Sequence, residues 1–465
     1  MNLIWERLTF STVSLKEYLD TSYVHRLLVG SLSSWRQSSV LLRWGDEIAA
    51  AIISLIYGLS PFVPNPLIGF LIIAGAAFWF LLTISDDTSQ ANAPTVTPIH
   101  LPIVAFWGAG LIATVMSPVK SAALADLVVF TLYLVLFVLC ARILTNPRIR
   151  NWLILLYMHV ALVVSVYGIR QKFFGAAQLA TWVDPESPLS KNTRVYSYLG
   201  NPNLLAGYIL PALILSLIAI FAWKRTTAKM LAVTMFVANL LCFRFADSRG
   251  AYIGFGFGLI AVTFLLVYWY QEQLTPFWRR WLIPMVVLGF VSLFMVGFVG
   301  SETFRLRIIS IFAGRGDSSN NFRINVWTAA IQMIRDRPIF GIGPGHNSFN
   351  KVYPLYQLPR FSALSAYSVL LEITVEMGLI GLMAFLWLLA VTFTVAAKQL
   401  RRFRQLDHTD GLWVIGAIAV LVAMLGHGLV DTIWYRPQVN TLWWLFLGLI
   451  ASYWVPQNRN SHDYQ

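Results

Sequence analysis

The chain has 465 residues, of which 57% are hydrophobic and 12% charged, and its formal net charge at pH 7 is +13. An ordinary soluble domain is about half apolar and about a quarter charged, so this composition excludes a solvated enzyme, a disordered protein and a fibrous array. The apolar residues also come in blocks of the length that crosses a bilayer. The sequence therefore predicts an all-α, polytopic integral membrane protein.

The basic excess comes from 34 lysines and arginines against 21 acidic residues. In a membrane protein, basic residues collect in cytoplasmic loops, and a further set can serve an anionic ligand, so we expect no nucleic-acid partner. Cys140 and Cys242 lie within apolar blocks and share no loop. We predict that both are buried thiols with no disulfide or metal role, and we expect no cofactor.

Residues 1–46 are expected to form a cytoplasmic or interfacial N-terminal segment. They mix both charge signs before any long apolar run, which is unlike a cleavable signal peptide. From Leu15 to Trp44, leucines lie among polar residues. This pattern fits either an amphipathic helix lying along the membrane interface or a partly ordered cytoplasmic tail.

A transmembrane domain is predicted for residues 47–455, followed by a cytoplasmic tail at 456–465. Apolar runs between proline, glycine and charge breaks mark twelve candidate spans. They lie at about 47–62, 67–84, 99–116, 121–143, 151–172, 201–222, 228–246, 250–270, 281–300, 366–397, 412–432 and 439–455.

The short loops between these spans predict the orientation. Loops on one side carry twelve basic residues and loops on the other side carry five, so the first side is predicted to be cytoplasmic. The stretch 85–98, with Asp86 and Asp87 and no basic residue, departs from this rule. Both termini are then cytoplasmic, and we expect the inner (plasma) membrane, with the thylakoid membrane as the alternative.

Two longer segments, 173–200 and 301–365, are then predicted to lie outside. The larger one carries eight basic residues against three acidic ones, a net charge of +5. It is either a polar extracytoplasmic domain or an anion-handling surface. The apolar spacing from Asn325 to Arg335 predicts a short helix that lies along the membrane.

The first polar motif, Gly200 to Gly207, stands just before the sixth span and places Asn203 beside Asn201 and Pro202. An asparagine followed by proline is a helix start, whose free N–H groups suit an anion. The second motif contains Ser248 and Arg249 between the seventh and eighth spans. Arg249 either pairs with Asp247 or holds a phosphate or carboxylate through two parallel hydrogen bonds.

The third motif joins Arg323 and Trp327 to the segment from Arg337 to Phe349. Its glycines and prolines allow backbone amides to approach a ligand closely. His346 is the one histidine of this segment, and it is either a solvated loop residue or a catalytic one.

Two further motifs place acidic residues in spans. Glu372 and Glu376 are four residues apart and therefore share a helix face. The loop arginines are their expected partners, and both a salt-bridge role and a proton-handling role are open. His427 and Asp431, followed by Arg436, either relay protons or pin the eleventh span to its neighbour.

Together these motifs resemble those of the O-antigen ligase and polymerase superfamily of bacterial membrane proteins. The matching pieces, in order over about 200–385, are Asn201-Pro202-Asn203 with Ala206, Ser248-Arg249-Gly250, Arg323 with Trp327, Pro338 to Gly345, and Glu376-x-Gly378-x2-Gly381-Leu382. The resemblance implies a metal-independent glycosyltransferase in which Arg249 and Arg323 hold the diphosphate of a polyprenyl-linked glycan. The superfamily's acceptor-side histidine is Tyr367 here, and its following asparagine is Ser368.

Two pieces of the sequence are similar to one branch, the cyanobacterial IctB family. They are Leu364-Ser365-Ala366-Tyr367-Ser368 and the segment from His427 to Trp444. This resemblance runs over nearly the whole length and implies a photosynthetic host and a role in accumulating bicarbonate or other inorganic carbon.

The expected partners are thus membrane lipids and either bicarbonate or a polyprenyl-diphosphate-linked glycan; a membrane scaffold is the third alternative. The predicted anion site consists of Arg249, Arg323, Arg315, Ser248 and Asn203. The candidate catalytic residues are Tyr367, His346 and Glu376. Glu372, His427, Asp431 and Arg436 are candidates for ion coupling or for a structural role.

Overall fold

A computed structural model describes residues 2–9, 29–86, 96–177, 194–359, 361–432 and 434–455. Across these ranges the regular structure is helical. The helices are α1 (Asn2–Thr9), α2 (Ser33–Ser38), α3 (Val40–Arg43), α4 (Gly45–Leu59), α5 (Asn65–Ile84), α6 (His100–Met116), α7 (Lys120–Ile143), α8 (Pro147–Phe174), α9 (Pro202–Ala222), α10 (Thr226–Ala246), α11 (Arg249–Tyr270), α12 (Pro276–Gly300), α13 (Glu302–Phe312), α14 (Ser318–Asp336), α15 (His346–Val352), α16 (Val369–Gln405), α17 (Asp410–Gly428) and α18 (Pro437–Ser452).

Each of the twelve candidate spans corresponds to a helix. Within the described ranges, nine of these helices are long and apolar enough to cross a membrane, which confirms a polytopic membrane protein. The other three are α4, α6 and α18, with 15, 17 and 16 residues. The total of twelve crossings stays a prediction.

The centre of the bundle is formed by α9 and α17, which other helices cover almost completely, whereas α12 has no buried residue in its apolar stretch. Three glycines on α11 let it approach α17. A Cβ at Gly254 would lie 2.5 Å from the carbonyl oxygen of Ala423, and one at Gly250 would lie 3.0 Å from the ring of His427. Gly258 continues the same stripe. Small residues at every fourth position are a common basis for close packing of membrane helices.

The exceptional acidic stretch after α5 has a structural explanation. Asp86 is buried and accepts two hydrogen bonds from Arg142, at 2.6 and 2.7 Å, and a third from Arg36 at 2.5 Å. Its charge is therefore neutralised inside the protein. Asp87, residues 10–28 of the N-terminal segment and the tail at 456–465 lie outside the described residues.

The large loop carries α13, α14 and α15 and has a hydrophobic core of its own. Val326, Ala330 and Met333 of α14 are buried in it, next to Phe349 of α15. The predicted short helix at 325–335 is thus part of a longer helix. Its apolar face is covered by protein, and its position along the membrane stays a prediction.

The tenth span begins at Val369, so Tyr367 and Ser368 precede the helix and do not belong to it. Tyr367 has a left-handed backbone, with φ of 50°. Further along, α16 is interrupted at Gly378, where φ is 65° and ψ is −166°. The loop fills this break, because the amide of Gly343 donates to the carbonyl of Glu376 at 2.9 Å and that of Leu379 donates to Pro338 at 2.8 Å.

The prediction that both cysteines are buried thiols is confirmed. Cys140 and Cys242 are both buried and both free.

Candidate functional site

A cavity of about 180 Å³ lies where the starts of α11 and α14 meet the loop after α17. We call it the arginine cavity, and its lining residues are Arg249, Gly250, Ile253, Ile311, Gly314, Asn320, Arg323, Ile324, Trp327 and Val430. Two of the arginines predicted to bind an anion are thus brought together, although they are far apart in sequence. The rest of the lining is mainly aliphatic.

Arg249 enters this cavity because Ser248 caps α11, its hydroxyl accepting a hydrogen bond from the amide of Ala251 at 3.4 Å. The guanidinium is buried and donates to the hydroxyl and the carbonyl of Ser310, at 3.0 and 3.2 Å. It also lies 2.9 Å from the carboxylate of Asp317. Ser248 itself lines neither this cavity nor the second one described below.

The alternative in which Asp247 pairs with Arg249 is wrong. Asp247 lies in the left-handed region at the end of α10, which directs its carboxylate elsewhere. Its carboxylate lies 3.3 Å from Arg307, which also donates to its carbonyl at 2.7 Å, and 3.4 Å from Arg244. Arg307 is buried, and its place in this network is not evident from sequence because it stands among several loop arginines.

Asn203 also lies away from the cavity. Its side-chain oxygen accepts a hydrogen bond from Arg194 at 2.7 Å, and Arg194 donates on to the carbonyl of Ala246 at 2.9 Å. Burial and the nearby charge of Arg307 lower the pKa of Arg194 to about 9. The predicted cap is present, since the Asn201 side chain accepts from the amides of Asn203 and Leu204. These two N–H groups at the start of α9 therefore already have a hydrogen-bond acceptor within the protein.

Arg323 is held by α14 and by the loop after α17. It donates to Ser319 at 2.9 Å and to the carboxylate of Asp431 at 3.4 Å. Asp431 lies beyond the end of α17, 3.8 Å from the ring of His427, which is too long for a hydrogen bond. Burial raises the pKa of Asp431, but the neighbouring His427 and Arg323 outweigh this, so that the net shift is downward.

The other two predicted arginines do not line the arginine cavity. Arg315 is exposed and donates to Asn321 and Asn325, at 3.1 and 2.9 Å. Arg436 lies over the ring of Tyr435, 4.7 Å from its centroid. Both contacts are local to the loops that carry these arginines.

Tyr367 lies beside the arginine cavity. Its carbonyl accepts a hydrogen bond from Trp327, which lines the cavity, at 3.3 Å. Burial is the main reason why the pKa of Tyr367 is raised to about 12, and the negative charge of Asp431 adds to it. The phenol is therefore neutral at physiological pH and is available as a hydrogen-bond donor.

A second cavity, also of about 180 Å³, lies between α6, α7, the loop before α15, α16 and the start of α18. We call it the acidic cavity, and its lining residues are Phe106, Asp126, Val129, Phe130, Tyr133, Pro344, Gly345, His346, Val369, Glu372, Ile373, Glu376, Met377, Trp434, Tyr435, Asn440 and Trp444. It brings together His346, Glu372 and Glu376. Among the described residues, no arginine forms an ion pair with either glutamate, so the expected pairing with loop arginines is wrong.

Asp126 is the acidic residue of this cavity that sequence reasoning missed. It lies on α7 and accepts hydrogen bonds from the amides of Asn347 and Ser348, at 2.8 and 3.1 Å, and from the Asn347 side chain at 2.7 Å. It thus anchors the first turn of α15 to the bundle. A lone aspartate within an apolar run was the available signal, since such a residue needs a partner.

His346 is held on both ring nitrogens. Nδ1 donates to the carbonyl of Leu364 at 2.7 Å, which leaves Nε2 to accept from the Asn350 side chain at 2.8 Å. The ring also lies 5.7 Å from the ring of Tyr435. The protein thus engages both ring nitrogens of His346.

Part of the chain matches a known family model. Residues 234–386, about a third of the chain, match the family model described as O-Antigen ligase (Wzy_C). The matched part runs from α10 into α16 and contains Arg249, Arg323, His346 and Tyr367. No curated protein matches the chain. The chain is thus a multi-pass membrane protein in which residues 234–386 are similar to the O-antigen ligase family.

Proposed function

We propose that the protein is a metal-independent glycosyltransferase that takes a glycan from a polyprenyl-diphosphate-linked donor. The observation that carries this proposal is the arginine cavity, in which Arg249 and Arg323 share one space with aliphatic walls. An amphiphile with an anionic head and an isoprenoid chain matches both parts of this lining. The match to the O-antigen ligase family model supports the same substrate class.

The two guanidinium groups suit a diphosphate for a physical reason. Each presents parallel N–H donors that match the spacing of phosphate oxygens, and Arg249 is only 7% exposed. Charge interactions are stronger at such a buried position than in water. Arg249 and Arg323 would therefore stabilise the negative charge that develops when the diphosphate leaves.

In the proposed step, a hydroxyl oxygen of the acceptor attacks the anomeric carbon of the donor glycan. A new carbon–oxygen bond forms, the bond from that carbon to the diphosphate oxygen breaks, and polyprenyl diphosphate leaves with the electron pair. The acceptor proton passes to a base or to water. Tyr367, which remains protonated, contributes a hydrogen bond and does not act as the base.

A second candidate function is bicarbonate accumulation of the IctB type. Arg249 already pairs with the carboxylate of Asp317 at 2.9 Å. Bicarbonate has the same planar pair of oxygens as a carboxylate, which favours this function. Glu372, Glu376, His427 and Asp431 would then be the candidate ion-coupling groups. For both functions we propose that the arginine cavity lies on the outer side of the inner membrane or of a thylakoid membrane. Both termini are then cytoplasmic.

Binding of undecaprenyl diphosphate to the purified protein in nanodiscs tests the first proposal. We expect Arg249→Ala and Arg323→Ala each to raise Kd by about tenfold or more, the effect of losing a charge-assisted hydrogen-bond pair. Arg315→Ala is the matched control, because Arg315 belongs to the same loop region but lies outside the cavity, and its Kd should equal that of the wild type. Equal losses in all three variants would contradict a specific site.

Uptake of labelled bicarbonate into proteoliposomes under ion gradients tests the second function. Uptake by the wild type and not by Arg249→Ala would favour bicarbonate. Release of undecaprenyl diphosphate from a lipid-linked glycan, without uptake above empty vesicles, would favour the transferase.

A further inference from the structure

The helix α13 follows α12 after a single residue. Ser301 separates the end of α12 at Gly300 from the start of α13 at Glu302. Among the described residues in its apolar stretch, α12 has none that is buried, and in a membrane protein an apolar helix without protein cover is surrounded by lipid. α13 therefore begins at the point where a lipid-surrounded span ends.

The contacts of Phe304 place the first turn of α13 beside the outermost turns of the spans and not above them. The centroid of its ring lies 6.1 Å from that of Tyr252 on α11 and 5.7 Å from that of Phe294 on α12. At a rise of about 1.5 Å per residue, Tyr252 lies about 5 Å inside the start of α11, and Phe294 lies about 9 Å inside the end of α12. Phe304 is thus at a depth that these two spans also occupy.

Two further contacts hold the rest of α13 at the ends of α10 and α11. Arg307 is buried and lies 3.3 Å from the carboxylate of Asp247. The hydroxyl and the carbonyl of Ser310 accept hydrogen bonds from Arg249, at 3.0 and 3.2 Å, and the next residue, Ile311, lines the arginine cavity. One face of α13 is therefore occupied by protein contacts from its first turn to its last.

The opposite face of α13 is exposed and becomes apolar in the second half of the helix. Ile309 is 51% exposed and Phe312 is 83% exposed, and their spacing of three residues puts both on one side of the helix. Glu302 and Arg305 precede them on the same side. This pattern is typical of a helix in the membrane interface, where apolar side chains enter the acyl region and an arginine reaches the lipid phosphates.

We infer that α13 is an interfacial helix that inserts Ile309 and Phe312 into the lipid leaflet at this end of the bundle. The bilayer is favoured over a soluble protein partner, because α13 follows the lipid-surrounded α12 after one residue and begins at the depth of the neighbouring spans. Its insertion fixes the level of Ile311, and with it one wall of the arginine cavity, relative to the bilayer. The inference goes beyond the proposed function, since it holds whether the cavity binds a polyprenyl diphosphate or bicarbonate.

Spin labels on the variants Phe312→Cys and Ile309→Cys in nanodiscs of phosphatidylcholine and phosphatidylglycerol test this placement. Each variant keeps the other apolar side chain of the face. Collisions of the label with oxygen, which concentrates in lipid, are compared with collisions with a nickel chelate, which stays in water. We expect both labels to have the high oxygen-to-nickel ratio of a label on Val296→Cys, because Val296 is 70% exposed on the lipid-surrounded α12.

Arg315→Cys is the matched control, because Arg315 is exposed, follows Phe312 closely in sequence and bonds only side chains of its own loop region. Its label should collide mainly with the nickel chelate. Cys140 and Cys242 are buried, so the wild type treated with the label should give only background. A Phe312→Cys label with the low ratio of Arg315→Cys would overturn the inference, because the face would then lie in water. A label that neither reagent reaches would overturn it too, since protein would then cover the face.

Discussion

The guanidinium of Arg249 lies 2.9 Å from the carboxylate of Asp317, which joins the start of α11 to the start of α14. The carboxylate takes up a donor that an anionic ligand would also use. Asp317 has a second task, since the same carboxylate caps α14 by accepting a hydrogen bond from the amide of Asn320 at 2.9 Å. The cap and the ion pair therefore share one side chain.

Asp317→Asn separates these two tasks, because asparagine is an equally good cap and carries no charge. We expect this variant to bind undecaprenyl diphosphate more tightly by about tenfold, since Arg249 no longer has an internal competitor. Kd measured in nanodiscs checks the change. Asp336→Asn is the control, because Asp336 bonds Tyr356 at 2.7 Å outside the cavity. Weaker binding in Asp317→Asn would show that the aspartate supports the ligand.

Removal of Arg323 should cost stability as well as ligand binding. Arg323→Ala leaves the charge of Asp431 buried without its cationic partner, which costs about 3 kcal/mol. Adding Asp431→Asn should recover a large part of this loss. Thermal unfolding of the two variants in detergent checks the expectation, and an equally destabilised double variant would contradict it.

The same ion pair has a predicted pH dependence. The pKa of Asp431 is lowered by the fold, so its stabilising contribution is complete above the unfolded carboxyl pKa of about 3.9 and is lost as the pH falls through the lowered folded value. We therefore expect the difference in melting temperature between the wild type and Asp431→Asn to be constant from pH 8 to pH 5. It should shrink below pH 4. A difference that already disappears near pH 6 would contradict a lowered pKa.

Tyr367→His introduces the acceptor-side histidine of the O-antigen ligase and polymerase superfamily, which the sequence resembles. The tyrosine has a pKa of about 12, so the activity of the wild type should show no ionisation of this residue between pH 6 and pH 10. The histidine, with an ordinary pKa of about 6.5, should add a rise in transfer rate as the pH increases through neutrality. The pH profile of kcat checks this, with Tyr367→Phe as the control that has no titrating group. Identical profiles for the His and Phe variants would contradict a role at the acceptor.

Gly378 is the backbone position on which the joint between the loop and α16 depends. A Cβ there would lie 2.1 Å from the carbonyl oxygen of Ile339, and its φ and ψ are in a region that is essentially restricted to glycine. Gly378→Ala should therefore destabilise the protein by about 3 kcal/mol or more. Gly256→Ala is the control, because a Cβ at Gly256 meets no atom within 4 Å. A similar melting temperature for both variants would contradict this assignment.

Local patterns made much of the fold predictable. Within the described residues, hydropathy located each of the nine long apolar helices, because a membrane span must satisfy its backbone within itself and show an apolar surface. The caps at Asn201 and Ser248 were readable because a cap involves only residues a few positions apart. The interruption at Gly378 was not predicted, since it depends on a loop that packs from a distant part of the chain.

By itself, then, the sequence determined the class of the protein, the helices and the presence of arginines and carboxylates in an apolar chain. Only the tertiary structure decided their partners. It pairs Arg249 with Asp317 and not with the nearby Asp247. It also places Arg323 and Glu372 in the linings of two different cavities. Ion pairs form between groups that the fold brings within about 4 Å, and sequence distance sets no limit on that separation.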